Sequence, residues 1–249
     1  MTEIQVYDKL KKIKGTRSTN PLDLPSKLRK EYDIFLALPM TDIINSCLNE
    51  QIFPSIRKME YVTPIPKVPN PTKLSQLRKI SCTSDYAKLF ESFLKDFILE
   101  DCQENLPKHQ FGGRKGVGTE HLIVSFIDRV LKMLESCRGK TAVIAASVDW
   151  ASAFDRIDPL SLSKRFIKIG IRPAIIPILI SYISDRKMKV KFNNILSSEK
   201  ELVGGSPQGT LLGGLNYIIA SFDCDANEAG CDEDDQILQL TSYSFHQNQ

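Results

Sequence analysis

The stretch Thr141-Ala-Val-Ile-Ala-Ala-Ser-Val-Asp149-Trp-Ala-Ser-Ala-Phe-Asp155 decides the fold. Residues 141–148 are β-branched and almost wholly apolar, which suits a strand buried on both faces. The strand ends on Asp149, so a carboxylate sits at the edge of a sheet where backbone carbonyls also come free. Hard divalent cations take oxygen ligands of that kind. Phosphoryl and nucleotidyl transfer commonly use two metal ions held by carboxylates from neighbouring elements. A strand-ending Asp that caps the following turn has the same local sequence.

Outward from this strand, helical spacing alternates with short extended pieces. Upstream, residues 119–137 predict an amphipathic helix with Thr119 at its cap and Ile123, Ile127, Val130, Leu131 and Leu134 facing inward. A Gly-rich basic loop, Phe111-Gly-Gly-Arg-Lys-Gly-Val-Gly118, joins it to a second amphipathic helix over Ser84 to Asp101, with Tyr86, Phe90, Phe93, Leu94, Phe97 and Ile98 on one face. Val62 to Lys67 reads as extended, because Pro64 and Pro66 forbid a helix interior. Asn70 to Lys73 reads as a turn. Leu36 to Asn49 has helical spacing, with Thr41 as a candidate N-cap. Downstream, Pro159 suits the first position of a helix running toward Lys168, and another helix follows Pro173. Lys187 to Phe192 sets Met188, Val190 and Phe192 against lysines, the alternation of a half-buried strand. Asn193-Asn194 reads as a turn, with Ser198 to Val203 as the returning partner. A loop, Gly204 to Gly209, leads into an apolar helix over Leu211 to Phe222. The class is α+β.

The chain has 249 residues, 42% of them hydrophobic and 25% charged, which is ordinary globular usage. At roughly one domain per 150 residues, one large domain or two subdomains fit equally well. The net charge of +3 conceals an asymmetry. Residues 201–249 hold eight acids and no Lys or Arg, leaving 33 bases against 22 acids in residues 1–200. A basic body suggests a polyanionic partner, most often nucleic acid, although a solvated Lys-rich surface gives the same count. The six cysteines form no Cys-x-x-Cys pair and lie near no histidine cluster, which argues against zinc and for reduced, mostly buried thiols. No apolar run approaches the roughly 18 residues of a membrane span. The first residues lack the apolar core of a secretory signal, so an intracellular protein, nuclear or cytoplasmic, is expected.

A second segment with chemical potential is Gly205-Ser-Pro-Gln-Gly209. Its glycines permit close backbone approach to a ligand, and Gln208 offers both a donor and an acceptor. A plain loop feeding a helix would look similar. In combination the segments form a pattern. Asp149-Trp-Ala-Ser-Ala-Phe-Asp155 resembles motif A, and Gly205-Ser-Pro-Gln-Gly-Thr-Leu-Leu-Gly213 resembles motif B, of the reverse transcriptase domain of non-LTR (LINE-type) retrotransposons. Val62-Thr-Pro-Ile-Pro-Lys67, Leu77-Arg-Lys-Ile-Ser81, Lys88-Leu-Phe-Glu91 and Gln110-Phe-Gly-Gly-Arg-Lys-Gly-Val-Gly-Thr119 resemble that family's upstream segments, in the same order. The likeness covers roughly residues 25–235.

The resemblance implies a right-hand polymerase fold with fingers, part of a palm and no thumb. It implies two-metal nucleotidyl transfer with Mg²⁺ (or Mn²⁺), an RNA template, a DNA primer and deoxynucleoside triphosphates. Asp149 would be the catalytic carboxylate and metal ligand. Phe154 would pack beneath the sugar and exclude a ribose 2′-OH. Gln208 and Gly209 would lie along the incoming nucleotide, and Arg78 and Lys67 would meet its triphosphate. Arg114 and Lys115 would follow a phosphate backbone. Asp155 matches a motif acid too, with a structural role such as helix capping expected.

The chain departs from the family after motif B. Motif C, an aromatic-x-Asp-Asp turn, would supply further acids. Asp234-Asp235 has no aromatic before it and no buried strand to deliver it, so 223–235 reads as a solvated acidic loop. Residues 236–249 read as a divergent tail, as if the frame ended or shifted near Gln236. The expected organisation is a loose, charged and Pro-punctuated lead-in over 1–30, a partial reverse transcriptase domain over 31–235 and the tail. A reverse transcriptase inactive, or nearly so, as this chain is expected. The alternatives are a non-catalytic nucleic-acid-binding module and a degenerate transposon product.

Overall fold

The computed structural model describes residues 1–13, 23–106, 110–112, 116–136, 143, 152–193 and 195–222. The predicted strand over 141–148, Val143 apart, lies outside the described residues, as do the Arg114-Lys115 pair, Asp149 and everything from Asp223 onward.

The described sheet is built on two segments far apart in sequence. Strands β1 (Met59–Pro66) and β2 (Leu77–Cys82) pair antiparallel, from Tyr61 opposite Cys82 to Pro66 opposite Leu77. Strand β3 (Lys187–Phe192) lies parallel to β1, but only Met59 to Val62 pair with Lys187 to Val190. Pro64 and Pro66 lack an amide donor, so they fall just past the last parallel pair, where β1 has β2 alone as neighbour. Beyond β3, the short strands β4 (Ile195–Leu196) and β5 (Lys200–Glu201) complete a five-stranded mixed sheet in the order β2-β1-β3-β4, with β5 also on β3. The return expected over Ser198 to Val203 is thus split in two. Asn193, at φ 48°, turns the chain directly into β4, and the pairing with β5 is confined to two residues.

Helices cover the core. Helix α1 (Glu3–Lys12) forms where charge and prolines predict a loose lead-in. Thr2 and Gln5 make a reciprocal cap at its start, and Val6 and Leu10, four residues apart, are buried on one stripe. Helix α2 (Ser26–Glu31) supplies Arg29, fully buried, which donates to the Leu10 and Ile13 carbonyls at the far end of α1. Helix α3 (Asp33–Glu50) starts earlier than its apolar spacing suggests. Thr41 is therefore no cap. It lies inside the helix, buried, with its hydroxyl donating to Ala37 O at 2.7 Å.

Helix α4 (Asp85–Cys102) matches the predicted span, and the Ser84 hydroxyl caps it by accepting from Ala87 N. Helix α5 (Thr119–Ser136) forms over the predicted span, but Thr119 is its first helical residue rather than its cap, and its stripe is not inward. Ile123, Ile127 and Leu131 are exposed, and Val130 and Leu134 half-buried. Spacing fixes which residues share a face, not what packs on it. Helix α6 (Pro159–Lys168) begins with Pro159 at its first turn and Asp158 as cap. Helices α7 (Ile176–Ile183) and α8 (Leu211–Ser221) follow. α4, α6, α7 and α8 pack together around Phe90, Leu94, Leu162, Phe166, Leu179, Leu212 and Ile219. Phe53 stacks on Phe90 at 5.2 Å and meets Tyr182 edge-on at 5.0 Å. Among the described residues no helix is long and apolar enough to cross a membrane.

Candidate functional site

Two backbone hydrogen bonds bring residues 154–157 against the loop 204–209. Gly205 N donates to Ile157 O at 2.8 Å, and Ser206 N donates to Phe154 O at 2.9 Å. The approach requires the glycine. Gly205 has φ +97°, and a Cβ there would lie 3.1 Å from both Asp155 Cα and Phe154 O. On the other side, Ser152 takes a left-handed φ of 55° and starts a 3₁₀ turn over Phe154–Arg156. That turn places the half-buried Phe154 ring 5.5 Å from Tyr217 of α8, tilted by 36°. Asn216, one residue before, donates to Ser206 Oγ at 3.1 Å from below. A groove of about 280 Å³ opens beside this turn, lined by Ala153, Arg156, Ile157, Leu162 and Tyr217 among others.

The loop is held to the sheet as well. Ser81 N of β2 donates to Gln208 O at 3.0 Å. Gly209, at φ +97° and exposed, faces the same strand, since a Cβ there would lie 3.6 Å from Ser81 O and 3.8 Å from the Ile80 side chain. Of the candidate residues, Phe154, Gln208 and Gly209 therefore share one neighbourhood. Arg78 is exposed on β2, opposite Ile65. Lys67 lies at the β1–β2 turn, where its ammonium donates to Ser75 O at 3.1 Å. Asp149, Arg114 and Lys115 lie outside the described residues. Asp155 makes an ion pair with Lys79, 2.6 Å from Nζ to Oδ2, while the cap of α6 is Asp158, which accepts from Ser161 N. Both partners of the Lys79–Asp155 pair are more than half exposed, so it contributes less than about 1 kcal/mol. Among the described residues no group of three or more His, Cys, Asp and Glu side chains could hold a metal ion.

The family model for reverse transcriptase (RNA-dependent DNA polymerase) matches residues 65–225, which span β2, both stitched segments and α8. The chain belongs to the reverse transcriptase family. It is 31% identical over 215 residues to the probable RNA-directed DNA polymerase from transposon BS of Drosophila melanogaster, covering 85% of this chain and 23% of that protein. It is 29% identical over 189 residues to the probable RNA-directed DNA polymerase from transposon X-element of the same fly, covering 75% and 20%. With the RNA-directed DNA polymerase from mobile element jockey it shares 27% over 216 residues, covering 84% and 22%. The chain thus spans about a fifth to a quarter of the length of these relatives.

In this reverse transcriptase domain, a buried polar network lies behind the two stitched segments, and its members are absent from the candidates read from sequence. Glu60 of β1 accepts from Arg186 Nε at 2.6 Å and from the Ser81 hydroxyl at 2.8 Å, with Glu60, Arg186 and Ser81 all buried. Arg186 also donates to Tyr182 O, and the Tyr182 hydroxyl donates to Thr210 Oγ1 at 3.1 Å. Glu91 of α4, fully buried, completes the set beside α8. Burial pushes its carboxyl up to about 7, against the pull of Arg186 and of the α8 amides. The signal for Glu91 was Lys88-Leu-Phe-Glu91, which was legible only as a family segment. Nothing local marks Glu60 or Arg186, since charged residues are ordinarily at the surface.

Proposed function

We propose that this chain is the nucleotide- and template-facing portion of an RNA-directed DNA polymerase with a right-hand architecture. The sheet of β1, β2 and β3 with α4 would form the fingers, and the segments around Phe154 and Gly205, with α6 and α8, part of the palm. The observation that carries this reading is the backbone stitching of Phe154 and Ile157 to Gly205 and Ser206, with Ser81 of β2 bonded to Gln208. It juxtaposes the two motifs that the resemblance assigns to one nucleotide, within a chain whose family is reverse transcriptase.

In this reading Phe154, backed by Tyr217, lies under the sugar and selects deoxynucleotides. Gln208 and Gly209 run along the incoming nucleotide. Arg78 and Lys67 meet its triphosphate, and Arg114 and Lys115 a nucleic-acid backbone. Asp149 is the candidate ligand for Mg²⁺ or Mn²⁺, which would offset charge on the transferring phosphoryl group. The described residues offer no ligand set for such an ion. The polymerase region would occupy 31–235, preceded by 1–30 and followed by a divergent tail over 236–249. After Gly213 the sequence has no aromatic-x-Asp-Asp turn, so catalysis by this chain alone is inactive or nearly so.

The basic balance of residues 1–200 supports nucleic-acid binding in any case. The test pairs primer extension on an RNA template, with Mg²⁺ or Mn²⁺, against a salt series of primer–template binding. Tight binding whose logarithm falls steeply with log salt, with extension weak or absent and no weaker in Asp149→Ala, is expected. Extension that vanishes in Asp149→Ala would show a complete catalytic set in this chain. Absence of salt-dependent binding by folded protein would remove the reading.

A further inference from the structure

The loop over 205–210 and the first turn of α8 are joined by hydrogen bonds and close packing. Thr210 Oγ1 accepts from Gly213 N at 3.0 Å and donates to Pro207 O at 3.1 Å, so the cap of the helix is also a clasp on the loop. The packing is tight enough that a Cβ on Gly213 would lie 2.2 Å from Pro207 O. Whatever fixes the start of α8 therefore fixes the loop.

The first two amides of α8 are not held by the loop. They are held from another helix. Glu91 Oε2 of α4 accepts from Leu211 N at 2.9 Å and from Leu212 N at 3.4 Å, 120 and 121 residues away in sequence. A carboxylate at a helix N-terminus meets both the unsatisfied amides and the positive end of the dipole. The arrangement is costly. Glu91 is completely buried, and among the described residues neither its Oε1 nor Nη2 of buried Arg186 has a hydrogen-bond partner. Capping alone does not need such a group, since Thr210 already caps α8 from within and most caps are exposed Ser, Thr or Asp. Buried, incompletely satisfied charge concentrates where geometry must be fixed for function.

We propose that Glu91 is a positioning residue that sets the orientation of the 205–210 loop by clamping the start of α8 to α4. Its relevance to nucleotide binding rests on the reading of that loop given above, but the clamp itself does not. Groups facing Glu91 are Arg186, just before β3, Tyr182 of α7 and the α8 amides, with Glu60 of β1 behind Arg186. Gln at position 91 keeps an oxygen that can accept from both amides. Ala removes it.

The experiment is amide hydrogen exchange on the full chain, comparing wild type, Glu91→Gln and Glu91→Ala, with circular dichroism to show that each is folded. Exchange in the peptide spanning 204–213 is expected to rise at least tenfold in Glu91→Ala and to stay within about twofold of wild type in Glu91→Gln, while the β1–β2 peptide is unchanged in both. Exchange in 204–213 unchanged in a folded Glu91→Ala, or rising equally in Glu91→Gln, overturns the clamp. Should Glu91→Ala not fold, Glu91→Asp serves. Its carboxylate is one methylene shorter and cannot reach both amides, so unaltered exchange in that variant also overturns it. A parallel arm measures deoxynucleoside triphosphate affinity on primer–template. Weaker binding in Glu91→Ala with rescue by Glu91→Gln joins clamp to nucleotide. A clamp seen by exchange in a wild-type chain that binds no nucleotide upholds the positioning role and removes the nucleotide reading instead.

Discussion

The hairpin over 187–203 and the loop over 204–213 are adjacent in sequence and treat polar groups in opposite ways. In the hairpin, Lys187 pairs with Glu199 at 2.8 Å and Lys189 with the same carboxylate at 3.6 Å, all in contact with solvent. Phe192, Ile195 and Val203 are exposed beside them. In the loop the contacts are short, mostly backbone, and backed by buried Glu60, Arg186 and Glu91. Ion pairs in the first region are interchangeable with water. Those in the second are not, because one missing partner strands a buried charge. Buried polar contacts of this kind surround the segment that the family motif singles out, as they also join α1, α2 and α4 at Arg29, while the neighbouring ribbon is loosely specified.

This contrast breaks most sharply at Arg186. Arg186→Met leaves Glu60 buried and unpaired and should cost about 3–5 kcal/mol in urea unfolding. The double replacement Glu60→Leu with Arg186→Met should recover most of that loss, and a double variant as unstable as the single would contradict the account. Gly205→Ala comes next. A left-handed φ and a Cβ against the Phe154 turn should together cost about 2–3 kcal/mol, read as a lowered denaturation midpoint at constant slope. Gly209→Ala shares the φ but meets only ordinary contact distances, so it should cost less.

The third test uses pH. The folded Glu91 carboxyl is raised from 4.5 to about 7 by burial. Between those values the folded protein holds a proton that the unfolded chain releases, so this group's contribution is full below about 4.5 and is lost as pH rises through about 7. Glu91→Gln cannot lose that contribution. Its melting temperature relative to wild type should climb from pH 5 to pH 8, and a flat difference would show that Glu91 does not titrate there. The smallest effect belongs to the hairpin. Lys187→Ala should change stability by less than about 0.5 kcal/mol, and a loss above 2 kcal/mol would erase the distinction between the two regions.

Much of this architecture is readable in the sequence. α4, α6 with Pro159, α8 and the span of β3 follow from spacing and breakers, which are local, but burial along β3 does not alternate and Phe192 is exposed. β2 did not announce itself. Leu77-Arg-Lys-Ile-Ser-Cys82 has no clean alternation, and it becomes a strand because β1 supplies a partner. α1 was hidden by Lys9, Lys11 and Lys12, although Val6 and Leu10 carried the stripe; its far end is completed by Arg29, which no local pattern reveals. Around the site, the motifs pointed to Phe154, Gln208 and Gly209, which do come together. Glu60 and Arg186 were not legible, and Glu91 only as part of a family segment, because a charge becomes a buried partner only through contacts made by distant segments.

The parallel pairing of β1 with β3 also sets an order of events during synthesis. Glu60 and Arg186 are 126 residues apart. A ribosome adding 5–20 residues per second needs roughly ten seconds to make the second after the first. For that interval the β1–β2 hairpin waits with one long edge unpaired, in a crowded cell. Pro64 and Pro66 have no amide to offer along that edge. The two prolines thus leave only Met59 to Val62 of that edge with amides to offer before β3 arrives, and keep the remainder of β1 from recruiting a further strand in the finished sheet.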